Sequence, residues 1–431
     1  MGLSTIFYWH FKNKKGFVLI SSFLLCFIVV YIAGIIWAPF PYWPSYLVLW
    51  KAVFRFPGAW WMKLRQASFL IKAGICAPMW TIFWYLDEIL YPRYRRQDIH
   101  PIFIIGQPRC GTTFLHRTMA SDGHTFFAVR HVEWRYPFIT VQKLIKALDL
   151  DRNLHNVNYW PNTEVGQLAA KMHPNTLADW EEEGIFFEEK FLHHFFIFLR
   201  FPYPELLPYL DSFPELPERV QQKMLDAYRK TLQKVQYLRG SQPRIYLSKE
   251  VTSHKRIPAL LKLFPTARFV VSVRPSRDFI SSLRALMRMS TMSKTGADPY
   301  LNDEWHAAFM RRMREDSLRL VSLCTETIPA NRLVRVSANH LMANPGAAVH
   351  SIYRALGLAV HDEFAAYLSH VETHQKVRER GYDYDDIAPE GFDGYDAFVR
   401  DIAERHNTEL QTPASFTAPK PEVCLNESWQ P

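Results

Sequence analysis

The sequence predicts an α/β fold, a parallel sheet flanked by helices, preceded by a transmembrane or membrane-associated helical segment. Three observations carry that reading. From about residue 98, short apolar runs alternate with amphipathic stretches of helical length, the pattern of strands joined by helical crossovers. One run, Ile102-Phe103-Ile104-Ile105, has no polar member, which suits a strand buried on both faces. Upstream, residues 16–38 carry no charge, and as a helix rising about 1.5 Å per residue they would cross a roughly 30 Å hydrocarbon core.

The totals agree. With 431 residues and 48% hydrophobic content, the chain holds one large domain plus an extra segment. We divide it into a membrane anchor with interfacial helices (1–97), an α/β domain (98–410) and a loose proline-bearing tail (411–431). The five cysteines have no paired or metal-like spacing, which argues against a disulfide scaffold or a cysteine-based zinc site. The net charge of +9 is concentrated: residues 1–100 hold 11 Lys and Arg against 3 Asp and Glu, whereas the rest holds 40 against 39. A basic excess beside apolar segments fits an anionic membrane surface better than nucleic acid, for which no motif is visible.

The run at 16–38 is too long for a cleaved signal peptide and lacks an A-x-A site. Lys12, Lys14 and Lys15 before it favour a cytoplasmic N-terminus, and Trp37, Tyr42 and Trp43 close it as an aromatic belt. Residues 67–86 are apolar again but contain Lys72 and Pro78. A second span, a re-entrant helix and an amphipathic helix lying on the bilayer all fit. One span puts the α/β domain outside or in a lumen. Two spans, or a surface-lying first segment, put it on the cytoplasmic face, which Arg93, Arg95 and Arg96 favour.

The apolar run at 102–105 leads into Gly106-Gln107-Pro108-Arg109-Cys110-Gly111-Thr112-Thr113 and a helix over 112–121. This is P-loop-like, because glycines bound the loop and unpaired helix-start amides attract an anion. It departs from G-x-x-x-x-G-K-[ST] in having Thr112 where the lysine belongs. That lysine serves the β/γ-phosphates of a triphosphate. Arg109 supplies charge inside the loop instead, so one anionic group suits it better than a triphosphate with magnesium.

Further along, residues 126–160 mix aromatics and histidines, and 164–200 read as helical with an acidic stretch from Asp179 to Glu183. An amphipathic helix spans 216–238, a strand Arg244–Ser248 ends in Lys249, and a helix covers 254–263. The strand Ala267–Val273 delivers Arg274 at its carboxyl end, where ligands sit in open α/β sheets. Ser282 follows about two turns into the next helix, so that the two can grip one phosphate. A helix over 301–328, a strand Arg332–Val336 and a helix over 345–357 complete the pattern.

These motifs resemble the sulfotransferases. Pro108-Arg109-Cys110-Gly111-Thr112-Thr113-Phe114-Leu115 is similar to the family's 5′-phosphosulfate loop, which commonly has serine where Cys110 stands. Arg274 and Ser282 match its R-x₇-S site for a 3′-phosphate. The resemblance covers about 100–385 and implies 3′-phosphoadenosine 5′-phosphosulfate as donor co-substrate, with no metal. It implies donor binding by Arg109, Cys110, Gly111, Thr112, Thr113, Arg274 and Ser282, and by Arg380 in a basic-glycine loop closing on the donor's 3′ end. Arg109, Lys249 and Glu133 are its candidate catalytic residues. Lys249 resembles the family lysine between donor and acceptor. Glu133, in His131-Val132-Glu133-Trp134-Arg135-Tyr136-Pro137, resembles the glutamate base of the bacterial branch, with His131 and His254 as rivals. Ser253 stands where relatives often have histidine or asparagine, and the family's Y-E-D-L stretch is missing at Val334–Asn339. The acidic group 179–183 and His173 resemble an acceptor-side segment and read as structural or substrate-shaping. The expected partners are the lipid bilayer and a small-molecule or lipid acceptor whose hydroxyl or amine takes the sulfuryl group. An NTP-dependent kinase and a non-catalytic membrane-bound nucleotide-binding module are the alternatives.

Overall fold

The computed structural model describes residues 21–29, 32, 42–240, 242, 244–251, 254–376 and 385–405. Arg380, Ser253, the tail from 411 and most of the 16–38 run lie outside the described residues; 21–29 are helical.

Five parallel strands form the sheet: β1 (Pro101–Gly106), β2 (Phe126–Phe127), β3 (Ile245–Glu250), β4 (Arg268–Val273) and β5 (Leu333–Ser337), in the order β2-β3-β1-β4-β5. β1 lies centrally, with β3 and β4 on its two sides, so the chain switches direction across the sheet there. Such a switch opens a crevice beyond the carboxyl ends of the strands. Every residue of β1 is buried. Alternation sends Phe103 and Ile105 into one core with Phe264, Phe269, Phe279 and Tyr395, and Ile102 and Ile104 into the other with Leu115, Met119, Val349 and Tyr353. The uninterrupted apolar run thus has its expected cause in helices on both faces. β2 is the strand not anticipated, being two residues long within an aromatic stretch.

Two helices precede the sheet, α1 (Trp43–Arg55) and α2 (Trp60–Leu90). Leu49, Leu70 and Trp84 of these helices pack in the same core as Phe103 and Trp134. Then come α3 (Thr112–Ala120), α4 (His131–Arg135) and α5 (Ile139–Ala147). Asp87 of α2 caps α5, its Oδ2 accepting from the Ile139 amide at 2.7 Å and its Oδ1 from the Thr140 amide at 2.9 Å. The single helix expected over 164–200 is three pieces, α6 (Glu164–Met172), Gly184–Glu188 and Phe195–Leu199. Pro174 cannot continue α6, and Phe191 adopts a left-handed φ of 59° between the last two pieces. The remaining helices used below are α7 (Glu218–Leu238), α8 (Ser276–Thr295), α9 (Asp303–Ser322) and α10 (Asp393–Arg405).

Candidate active site

The loop after β1 is shaped by close backbone approach. A Cβ on Gly106 would sit 2.3 Å from the Ser272 carbonyl oxygen on β4, so only glycine lets the chain leave the sheet there. Arg109 adopts a left-handed φ of 71°, a conformation that costs a non-glycine residue roughly 1–3 kcal/mol and concentrates at functional sites. Gly111, at φ 75°, caps α3. The first amides of α3, beginning with Thr112 and Thr113, have no carbonyl of the preceding turn to bond and face an anion readily. Cys110 differs from its neighbours. Its thiol is fully buried 4.0 Å from the Tyr395 hydroxyl, and burial pushes its pKa up to about 12. Its carbonyl accepts from Ser272 Oγ at 2.6 Å and its amide donates to Gln107 O. Cys110 therefore staples the loop to the sheet, with its side chain turned from the expected donor site.

The second anchor meets the first. Arg109 Nε donates to Ser282 Oγ of α8 at 3.0 Å, and Nη1 donates to the Met172 carbonyl at the end of α6 at 3.1 Å. Arg274, leaving β4, reaches the Arg109 carbonyl at 3.5 Å through Nη1, while its Nε bonds Asp278 at 3.3 Å. Arg109, Arg274 and Ser282, singled out from distant stretches, are thus neighbours at one sheet edge. Arg274 keeps a quarter of its side chain exposed, leaving guanidinium surface for a ligand.

On the other side of β1, β3 delivers Lys249. Its Nζ donates to Thr113 Oγ1 at 3.0 Å and lies 3.6 Å from Glu181 Oε2 and 3.7 Å from Glu182 Oε2. The acidic segment reaches it by pairing along the sheet edge: Glu181 N bonds Val129 O and Glu183 N bonds Lys249 O. Burial opposes ionisation of Glu181, but Lys249, His173 and Arg117 overcome it and hold its carboxyl well below the usual carboxylate range. For Glu182, burial dominates and, helped by the Glu181 charge, pushes the carboxyl up to about 7 against the pull of Lys249. Two adjacent carboxyls driven apart around one buried ammonium are a recognisable acid–base arrangement. Glu183 is pushed up to about 8, by burial first and Glu250 second, and accepts from the Tyr228 and Ser248 hydroxyls, each at 2.5 Å.

A strand-end loop with an arginine, a second arginine and a serine at its rim, and a lysine bonded to Thr113 together gather positive charge that suits an anionic ligand. A model of the sulfotransferase family matches residues 101–362, from the first residue of β1 to the helix beyond β5. The chain belongs to the sulfotransferase family. It is 24% identical over 321 residues to the omega-hydroxy-beta-dihydromenaquinone-9 sulfotransferase Stf3 of Mycobacterium bovis, covering 70% of this chain and 72% of that protein. The Mycobacterium tuberculosis Stf3 matches to the same extent. The crystal structure of sulfotransferase STF1 from Mycobacterium tuberculosis H37Rv superimposes with a TM-score of 0.61 at 18% identity, over 84% of this chain and 91% of that one. Sulfotransferase STF9 from Mycobacterium avium gives 0.54 at 16% identity, over 87% and 98%. These two establish that the chain has the sulfotransferase fold.

In this sulfotransferase the remaining candidates take other places. Glu133 is buried in the first turn of α4 and accepts from the Arg130 amide at 2.8 Å, closing the helix start. Its carboxylate also pairs with Arg130 at 3.3 Å and with Arg239 at 2.7 Å. His131 is buried with Nδ1 2.8 Å from Asn175 Oδ1, and burial lowers its pKa. His254 stands under the loop after β1 with Nε2 3.1 Å from the Gly106 carbonyl, and burial lowers its pKa to about 4. Glu181 and Glu182, read from the sequence as structural or substrate-shaping, stand beside Lys249, with His173 3.8 Å from Glu181. The available signal was three consecutive glutamates after Trp180, a cost in a buried segment unless a cation waits for them.

Proposed function

We propose that this sulfotransferase moves a sulfuryl group from 3′-phosphoadenosine 5′-phosphosulfate to the hydroxyl of an apolar, lipid-like acceptor at a membrane surface. The observation that carries the donor assignment is the convergence of Arg109, Arg274 and Ser282 at the amide-lined loop, with Lys249 bonded to Thr113 beside them. Arg109, Gly111, Thr112 and Thr113 hold the 5′-phosphosulfate, and Arg274 and Ser282 hold the 3′-phosphate that distinguishes the donor from ordinary adenosine phosphates. Arg380 closes on the same 3′ end, as the family resemblance implies.

Transfer breaks one sulfur–oxygen bond, to the donor's 5′-phosphate, and forms another, to the acceptor oxygen. The acceptor's proton must leave, and negative charge builds on the departing phosphate. Lys249 lies against the loop where that charge develops and neutralises it. Glu182 takes the proton, because it sits within reach of the same ammonium and burial favours its protonated form. Ionised Glu181, 3.6 Å from Lys249 Nζ, aims that ammonium. Glu133 supports the site by closing α4 rather than by taking the proton, since its oxygens are occupied by Arg130 and Arg239.

The acceptor class rests on two supports. The mycobacterial relative is named for a hydroxylated menaquinone, and α2 is long and apolar enough to meet a membrane. The test is transfer of ³⁵S from labelled donor into lipid extracted from membranes carrying the protein. Label should enter the lipid fraction in the presence of excess EDTA, and Arg109→Ala or Arg274→Ala should abolish it. Magnesium-dependent labelling by γ-³²P-ATP, with none from the ³⁵S donor, would establish a kinase instead.

A further inference from the structure

Helix α2 has two faces that do different things. Met62, Gln66, Leu70, Ala77, Thr81 and Trp84 are buried along one side. Trp60, Leu64, Ile71, Ile75, Met79 and Ile82 fall on the opposite side at helical spacing, and each is about half or more exposed. A soluble monomer seldom shows water so continuous an apolar stripe. The stripe continues on α1 in exposed Leu47 and Phe54. Exposed Lys51, Arg55, Arg65 and Lys72 edge it.

The buried face is stitched to the α/β domain at both ends. Gln66 Nε2 donates to the Arg200 carbonyl at 2.8 Å. Asp87 caps α5 and pairs with the buried Lys234 at 3.1 Å. Those fastenings are 21 positions apart, about 32 Å of helix at 1.5 Å per residue, which is the full thickness of a hydrocarbon core of roughly 30 Å. A helix tied to a polar domain along that whole length cannot stand across a bilayer, since the domain would enter with it.

We propose that α1 and α2 lie flat in the headgroup–acyl boundary of an anionic leaflet and form a monotopic docking face. Three features on the chain select lipid as the occupant. In the sequence, the uncharged apolar run at 16–38 ends only a few residues before α1 begins at Trp43. The basic residues at its edge meet anionic headgroups, each contributing on the order of 1 kcal/mol. Tryptophans at positions 43, 50, 60 and 61 suit the interface, where one end of the ring is apolar and the other wet. The inference deepens the membrane-surface part of the proposed function and is independent of the donor assignment.

The test replaces Leu64, Ile75 and Ile82 one at a time with a fluorescent amino acid in the full chain. These side chains are exposed, so the substitution leaves the packing intact. The protein is reconstituted in phosphatidylcholine–phosphatidylglycerol vesicles with lipids brominated at acyl positions 6,7 or 11,12. All three sites should be quenched more by the shallow bromines, in similar ratio. Stronger quenching of position 75 by the deep bromines, with 64 and 82 shallow, would mean a spanning helix and overturn the proposal. Quenching by aqueous iodide with none by bromolipid would mean a water-facing surface. Protection from both would mean a protein partner, and either result also overturns it.

Discussion

Replacing Glu182 with glutamine is the sharpest test of the chemistry, because it keeps shape and removes one proton acceptor. Glu182 lies 3.7 Å from Lys249 Nζ, and Lys249 is itself 3.0 Å from Thr113 of the donor loop. A base so placed contributes typically 10²–10⁴-fold, or about 3–5 kcal/mol of barrier at roughly 1.4 kcal/mol per decade. The Glu182→Gln variant should therefore lose on the order of 100-fold or more in rate while donor affinity changes little. Burial holds the Glu182 carboxyl at about 7, so the wild-type rate should rise with pH and level off above that value. The variant's residual rate should show no such limb.

The assay is the initial rate of ³⁵S incorporation into extracted lipid at saturating donor, normalised to folded protein, between pH 5.5 and 8.5. Glu133→Gln is the paired control. It loosens a buried carboxylate from two partly exposed arginines and should lower thermal stability by about 1–2 kcal/mol, with less than tenfold loss in rate per folded molecule. A Glu182→Gln variant within threefold of wild type, or a Glu133→Gln variant that loses 100-fold with unchanged melting temperature, would refute the assignment and return the base to Glu133.

Three further outcomes follow from the geometry. Arg274→Ala should weaken binding of adenosine 3′,5′-bisphosphate by about 10–100-fold, the worth of a charge-assisted bond, and leave binding of adenosine 5′-phosphate nearly unchanged; calorimetry with both nucleotides decides it. Gly106→Ala drives a Cβ to 2.3 Å from a main-chain oxygen, so the variant should lose its cooperative melting transition in circular dichroism or melt far below wild type. Glu183 keeps its proton in the folded chain up to about 8, whereas the ordinary value is 4.5, so unfolding releases that proton between these limits and stability falls as pH rises through that window. Glu183→Gln should flatten the fall by on the order of a few kcal/mol, read as urea midpoints at pH 5 and pH 9; parallel curves for the two proteins would sink it.

The loop after β1 was legible because its residue types have few other reasons to occur together. An apolar strand, a glycine that a neighbouring carbonyl crowds, an arginine in a left-handed turn and a threonine pair at a helix start constrain one another within twelve positions, 102–113. Arg274 and Ser282 were legible because a strand end and a helix face fix their separation. The apolar character of α2 was legible as composition, but which of its faces packs on the domain was not. Only Gln66 and Asp87, which look like interruptions of an apolar run, reveal that one face belongs to the protein.

The proposed acid–base half is harder to read from sequence for a physical reason. A glutamate three residues into a short helix after an arginine has two explanations with the same sequence appearance: a base facing the acceptor, or a carboxylate returning to the helix's own first amide. The structure shows the second contact, with Glu133 accepting from the Arg130 amide and two guanidinium groups beside its oxygens. Glu181 and Glu182 meet cations from far along the chain: Lys249, more than 60 positions on, lies 3.6 and 3.7 Å from them, and Arg117, more than 60 positions back, lies 3.2 Å from Glu181. Sequence neighbours cannot report partnerships that only folding creates. What distinguishes the two sets is that Glu133 has an arginine three residues away and the other two glutamates have no cation so near in sequence. A run of glutamates that must leave water, flanked by Trp180 and the apolar Ile185-Phe186-Phe187, requires a distant cation, and in an α/β protein the carboxyl end of a strand is where that cation and the substrate meet.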